Sequence, residues 1–391
     1  MMKGLFRQKG AQLDINILAS DEAQEFITTH AGILDGGFQK VEMSDKMRER
    51  LTRSNYIFSG IKTFHELNEA FPSMLDENGN KKPFERFLND VQKINDTYNA
   101  NYLHAEYNFV QASATMAAKW EQFSEDGDRY NLQYRTAKDD KVRPEHAALD
   151  GVTLPMSDSF WETYYPPNGW NCRCTVVQVR KQKYPATEHS EAMSRGEEAM
   201  NGERYNIFRF NSGKQGKTMP DYNPYTIRRC NDCDVAKGKL KLGFVPDYQL
   251  CQGCIMIRKC SEDRNRDNSA KATKKSPDVK KLQGTTISNP DFNHEVLVTG
   301  GSIREWTNQP HKDYAAKNSI LKHIAKVFRE ANYIGVVDNF KKKPGVIQSH
   351  LFETTVLGDV SWIVIREYDD GRFILHSLSD GDRIKTGIRK E

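Results

Sequence analysis

The chain has no apolar run long enough to cross a membrane. Its first residues, MMKGLFRQKGAQLDINI, lack the apolar core of a secretory signal. Both absences lead us to expect a protein made and folded in a reducing cytoplasm, with no membrane partner. Cysteine is missing before position 172 and after position 260, and all seven lie between. In a reducing compartment such residues are thiols or metal ligands rather than disulfides, and their clustering points to one local task. An excess of either charge is missing too. Lys and Arg total 57 against 53 Asp and Glu, a net charge of +4, which is too mild to demand a nucleic-acid partner. With 391 residues, 37% hydrophobic and 28% charged, the chain can fold but is too long for one ordinary core.

The texture along the chain divides it into a multidomain α+β protein. Residues 1–129 read as a helical N-terminal region. Between Lys82 and Phe123 there is no proline after Pro83. Phe87, Val91, Ile94, Tyr98 and Tyr102 recur there at three- and four-residue spacing, so a long helix or helical hairpin is expected as scaffold or assembly surface. Residues 130–180 replace that period with short motifs, prolines and aromatics. Residues 181–257 run from a polar stretch into paired cysteines. Residues 258–290 read as a basic flexible linker, since positions 258–281 hold nine Lys or Arg against four Asp or Glu. Residues 291–391 read as a compact α+β domain. HEVLVTG is expected as a strand, and Pro310 as the start of a helix with an apolar stripe of Ile320, Leu321, Ile324, Val327, Phe328 and Ala331. YIGVV, VIQSHLFETTVL, VSWIVIREY and FILHSLS are expected as a small antiparallel sheet, with a tight turn at YDDGR.

One short stretch is chemically dense. NGWNCRC, residues 168–174, follows Pro166-Pro167 and sets Cys172 and Cys174 one residue apart. A disulfide between them would be strained. On an extended chain residues two apart share a face, so the pair acts as one unit, either packed or ligating. Arg135-Thr136, Asp139-Asp140, Val142-Arg143, His146, Asp150-Gly151, Phe160-Trp161, Pro166-Pro167 and Gly169 to Cys174 together resemble the head-morphogenesis domain of tailed phages, the Mu F-like minor head protein family. The resemblance covers some 50 residues directly. It implies a small domain that starts at His146 and is closed by Cys172 and Cys174. An imidazole and two thiolates are good zinc ligands, and Asp140 is the candidate fourth ligand or imidazole partner. The alternative is a structural histidine beside packed cysteines. Arg143 and Arg135 are expected to pair with Asp139, Asp140 or Asp150 as structural glue. No nucleophile accompanied by a base stands in this region.

CNDC (Cys230, Cys233) and CQGC (Cys251, Cys254) are separated by 17 residues, the spacing of a four-cysteine zinc site. Two Cys-x-x-Cys turns can hold one structural zinc with no open position. Gly253 is expected to permit the tight knuckle. The surrounding Arg228, Arg229, Lys237, Lys239, Lys241, Arg258 and Lys259 fit either a DNA contact or a solvated surface.

The order of elements in residues 291–391 resembles the compact nuclease fold shared by barnase, EndoU, some colicins and RelE. That resemblance implies a metal-independent endoribonuclease needing a group that activates the ribose 2′-hydroxyl and one that stabilises phosphate charge. The candidates are His350, Arg366, Ser377 and His311. If Asp370-Gly371 is a two-residue turn, Arg366 lies opposite Leu375 and on one face with Ser377. The other possibility is an inactive binding domain with ordinary histidines.

Together these readings give a phage minor head protein. It would act in head morphogenesis, portal-associated assembly and DNA packaging, with phage portal or capsid proteins, and DNA or RNA, as partners. It would reside in the virion, and in the host cytoplasm during assembly. The competing reading is a polymorphic toxin whose C-terminal nuclease is the main activity and whose front half is a delivery platform.

Overall fold

The computed structural model describes residues 1–9, 13–220, 223, 225, 252–311, 313–339, 343–356 and 359–389. They form two compact units, Met1–Ser261 and Glu262–Glu391.

The first unit begins with helices α1 (Met2–Arg7), α2 (Asp21–Gly36), α3 (Asp45–Ala70), α4 (Phe84–Asp96) and α5 (Leu103–Asp126). Ser20 and Ser44 start α2 and α3 by accepting from the otherwise unpaired Ala23 and Met47 amides. The stretch read as one helix or a hairpin is α4, a wide turn at Thr97–Asn101, and α5. Phe87, Val91, Phe109, Val110 and Ala114 are buried from it into the core. The chain then forms β1 (Asn131–Arg135), α6 (Pro144–Ala147), β2 (Thr153–Pro155), α7 (Phe160–Thr163) and β3 (Thr175–Val179). The strands make an antiparallel sheet in the order β2-β1-β3. Helices α8 (His189–Ala199) and α9 (Ser212–Gln215) follow.

Helix α10 spans Gln252–Lys275. It occupies much of the stretch expected to be a flexible linker. The physical reason is compositional: after Gly253 the run to Lys275 has neither glycine nor proline and is rich in Lys and Arg, which favour helix. Charge alone was a poor guide there. Gly253 serves helix packing rather than a knuckle turn. A Cβ on it would come within 2.8 Å of the Phe64 ring, and one on Gly60 within 2.5 Å of Ile257, so each glycine lets α3 and α10 approach closely.

The second unit carries α11 (Pro277–Lys281), β4 (Thr286–Asn289), β5 (Phe292–Leu297), α12 (Gly300–Asn308), α13 (Tyr314–Ile320), α14 (Ile324–Glu330), β6 (Asn332–Asp338), β7 (Val346–Val356), β8 (Asp359–Tyr368) and β9 (Phe373–Ser379). The sheet order is β4-β5-β9-β8-β7-β6, with β5 and β9 parallel and the other pairs antiparallel. One sheet face and the helices share a core of Phe352, Ile363, Ile365, Leu375, Trp306, Ile324 and Phe328. Leu321, Ile324 and Phe328 are buried while Lys322, His323, Lys326 and Arg329 are exposed, as the apolar stripe requires.

Two local expectations differ from the structure. A helix not read from the sequence, α12, starts at Thr299, whose side chain and that of Ser302 satisfy each other's backbone amides in a reciprocal cap. Pro310 does not open the next helix, which begins at Tyr314. The β8–β9 turn holds three residues, not two: Tyr368 N–H donates to Arg372 O at 2.9 Å, and Gly371 has φ of +81°. Arg366 therefore faces Ile374, not Leu375. A bulge between the Val364 and Ile365 pairs shifts the register by one, so Val364 faces Ser377.

Candidate metal centre

The first unit brings three dispersed ligand-type side chains together. Pro144 starts α6 and sets His146 on it, buried. The loop before α6 is closed by Asp150, whose Oδ1 accepts from Thr136 N at 2.8 Å and Thr136 Oγ1 at 3.1 Å. The 168–174 knuckle approaches from the other side. Trp170 packs on Phe109 of α5 and on Phe208, with ring centroids 5.2 and 5.4 Å apart. Asn168 is fully buried and accepts from Tyr134 Oη at 2.8 Å. Asn171 takes the left-handed φ of +57°, and Cys172 N–H returns to Gly169 O at 3.1 Å. A Cβ on Gly169 would lie 2.9 Å from Arg143 Nη1, so a larger residue there would have to displace the Arg143 guanidinium.

Two clamps hold the knuckle against the loop. Arg143 Nη2 donates to Trp170 O at 2.6 Å, and Arg173 makes a two-pronged contact with Asp139, one prong at 2.7 Å. The expected pairing of Arg135 and Arg143 with Asp139, Asp140 or Asp150 is not found among the described residues, where Arg135 Nε is buried without a hydrogen-bond partner. Arg173 takes Asp139, Lys138 lies 3.5 Å from Asp150, and Arg143 serves a carbonyl.

The result is a triad of buried His146 and Cys172 with half-buried Cys174. His146 Nδ1 lies 3.7 Å from Cys172 Sγ and 3.8 Å from Cys174 Sγ, and the three atoms fall within 4.8 Å of one another. Neither cysteine is inside a strand, since β3 starts at Thr175, yet both sulfurs face the same imidazole. His146 Nε2 is buried with no hydrogen-bond partner among the described residues. Asp140 is exposed and stands outside the cluster. The two thiols titrate as one unit. A hydrogen bond from Cys174, with help from His146 and against burial, pulls Cys172 well below the ordinary thiol range. The thiolate so formed, together with burial, pushes Cys174 up. Burial holds the Tyr134 phenol well above its usual range, so it stays protonated as a donor. A His/Cys/Cys set of this kind can hold a soft divalent metal.

The four-cysteine site cannot be assembled in the same way. Cys230, Cys233 and Cys251 lie outside the described residues. Cys254 is buried in α10 among the hydrophobic core of the first unit.

In the second unit the four polar candidates do not converge. His350 faces Ile365 across the ladder and so shares a sheet face with Ile365 and Glu367. Arg366 falls between them on the opposite face, with Val364 and Ser377. His311 is on the same side as His350 but meets Ser361, its Nε2 3.2 Å from that hydroxyl. Ser361 precedes Glu367 by six residues, or about 20 Å of strand. His311 Nδ1 also accepts from Asp313 N at 2.9 Å, which makes it a local brace.

Different residues surround His350. Its Nδ1 is 3.0 Å from Tyr333 Oη and its Nε2 3.0 Å from Glu367 Oε2. Gln348 donates to the same carboxylate oxygen at 2.8 Å. Burial works against the charge on Glu367, but these hydrogen bonds and the nearby His294 leave its carboxyl below the usual range. Exposed His294 stacks on Phe373 at 4.1 Å. Tyr333, Glu367 and His294 were not singled out from the sequence. The one signal available was that each is a polar residue in a strand-like run, which by itself does not name a partner.

A helical region feeding a three-stranded sheet, closed by the 168–174 knuckle over a His/Cys/Cys triad, is the kind of domain that the head-morphogenesis resemblance implies. The comparisons agree: the chain belongs to the phage Mu F-like family. It is 30% identical over 328 residues to the putative capsid assembly protein F of Escherichia phage Mu, which covers 77% of this chain and 68% of that protein. It is 25% identical over 198 residues to the Mu-like prophage FluMu F protein of Haemophilus influenzae, covering 49% of this chain and 42% of that one. The family profile "Phage Mu protein F like protein" matches residues 77–177, which include the whole triad. A second profile, "Large polyvalent protein-associated domain 3", matches residues 265–375. That description names no nuclease. No solved structure matches the chain. Among the described residues, no helix is long and apolar enough to cross a membrane.

Proposed function

We propose that this protein is a minor head component of a tailed phage. Residues 1–261 join portal or capsid proteins during assembly in the host cytoplasm, remain in the virion, and serve DNA packaging from there. The observation that carries this reading is the alignment with capsid assembly protein F of phage Mu over 77% of the chain. The paired cysteines Cys230, Cys233, Cys251 and Cys254 belong to the proposal as a structural zinc module. Procapsids sedimented from an expressing lysate test it. Deleting residues 285–391 leaves the protein on the heads, and deleting 130–180 removes it. The reverse pattern overturns the assignment.

A second reading rests on one specific observation, the His350 imidazole held between Tyr333 and Glu367, with the exposed His294 on the same Phe373 ring. In it the second unit cleaves RNA without metal, with His350 as acid or base. Arg366 and Ser377 on the other face, and His311 at its distance, are separate from that centre, so His350 bears the chemistry alone or with His294. Hydrolysis of mixed cellular RNA in the presence of a chelator decides this. Loss in His350→Ala with retention in Arg366→Ala supports the centre described. No cleavage by the folded wild-type chain rejects it, and with it the toxin alternative.

A further inference from the structure

The triad in the first unit has the dimensions of a metal site. A tetrahedral ion with bonds of about 2.0 Å to nitrogen and about 2.3 Å to sulfur separates those two donor atoms by about 3.6 Å. The observed separations are 3.7 and 3.8 Å. Two packed thiols beside a structural histidine would not need this arrangement. An imidazole that aims a single nitrogen at two sulfurs at once is arranged for a shared ligand rather than for one hydrogen bond. A disulfide is not the alternative, because the one-residue spacing strains it.

The donor set and the space beside it narrow the choice of ion. Two thiolates and a neutral imidazole favour zinc over the hard cations that prefer oxygen. With both thiols ionised, a divalent cation leaves the buried centre neutral, which removes most of the cost of burying the sulfurs as anions. Binding releases the thiol protons to solvent. A cavity of about 20 Å³ adjoins the three ligands, lined by Lys141, Arg143, Asn171 and Arg173 among others. A space of about 10–15 Å³ holds one water. Tyr134 is committed to Asn168, and Asp140 stands outside the cluster. Among the described residues no fourth protein ligand is at hand.

We propose that His146 Nδ1, Cys172 Sγ and Cys174 Sγ bind one zinc ion, with a water from the adjoining cavity as the fourth ligand. The ion fastens the loop at 136–150 to the knuckle at 168–174, alongside the Asp139–Arg173 and Arg143–Trp170 clamps. The site is a property of the first unit, whether or not the chain assembles into heads.

The test uses the full chain, stripped of metal and titrated with zinc and with cobalt(II). Elemental analysis and thiolate-to-cobalt charge-transfer absorption are the readouts. The Cys172→Ser/Cys174→Ser variant should hold one equivalent less than wild type, with weaker charge-transfer absorption. Cys230→Ser/Cys233→Ser should keep that equivalent. His146→Ala should bind it at least about 10-fold more weakly, and His146→Cys should restore it. Wild-type metal content and absorption in the Cys172→Ser/Cys174→Ser chain overturn the proposal. Should that variant not fold, alkylation of wild type mapped by mass decides. Zinc protects Cys172 and Cys174 if they ligate, and equal labelling with and without zinc overturns the site.

Discussion

The two units bury their polar side chains in opposite ways. In the first they converge. Lys62 of α3 donates to Glu106 of α5 at 2.7 Å and to His30 Nε2 of α2 at 3.0 Å. His30 Nδ1 lies 2.8 Å from Ser59 Oγ, and Tyr225 Oη donates to the other Glu106 oxygen. All five side chains are buried. The His146 triad is a second convergence in the same unit. In the second unit His350, His311 and Lys317 each have separate partners. His350 has Tyr333 and Glu367, and His311 has Ser361 and the Asp313 amide. Lys317 reaches the Trp306 and Gln309 carbonyls, and burial lowers it to about 8. A buried polar residue must be satisfied somewhere. Whether the satisfaction is shared or local separates a coupled network from a set of independent braces.

That contrast is sharpest at Lys62. Burial alone would raise the Glu106 carboxyl, but contacts from His30, Lys62 and Tyr225 outweigh it and hold the group ionised. Lys62→Met strands that charge and is expected to cost about 3–5 kcal/mol. Urea unfolding at pH 7 measures it, and adding Glu106→Leu should recover much of the loss. A cost below about 1 kcal/mol would mean the network is not coupled.

A smaller effect is expected one turn along α3. Burial raises Glu66 to about 7, although Asn99 donates to both carboxylate oxygens at 3.2 and 3.1 Å. The folded chain therefore keeps a proton that the unfolded chain has lost, so stability falls as pH rises from about 4.5 to about 7. The full cost, up to about 3 kcal/mol, stands above that window. Glu66→Gln removes it. The variant should match wild type near pH 4.5 and exceed it at pH 8, and a pH-independent difference between the two would refute the titration.

The smallest effects belong to the second unit. His311→Ala leaves the Ser361 hydroxyl and the Asp313 amide without this partner and is expected to cost about 1–3 kcal/mol. Combined with His350→Ala, the losses should add within about 0.5 kcal/mol, because the two sites share no partner. A coupling above about 1 kcal/mol would break the contrast between the units.

Legibility followed the same division. The α4–α5 region and the stripe through α14 were readable because helical period survives in the spacing of Phe87, Val91, Leu321, Ile324 and Phe328. Strands β6 to β9 were readable from their apolar runs. The register was not, since a three-residue turn and a bulge each move facing partners by one. Helix α10 was hidden behind its charge, and α12 behind a Gly-Gly start that its Thr299 cap makes workable. Lys62 gave no sign at all, because a lysine in a helix is ordinarily solvated.

The sequence by itself determined which residue types were present to act: two cysteines and a histidine in the head-morphogenesis segment, and polar residues inside the C-terminal strands. It also carried the family: the order and spacing of those unusual residues pointed to the Mu F-like proteins, and the chain is 30% identical to the phage Mu protein. Only the tertiary structure decided which of them meet. His146 and Cys172 are 26 residues apart and are joined by a loop, a short helix and a knuckle held by two arginine clamps. His350 and Arg366 are on neighbouring strands and point to opposite faces. Local spacing fixes helix and strand because those periods act over a few residues, whereas the meeting of distant side chains depends on the packing of the elements that carry them.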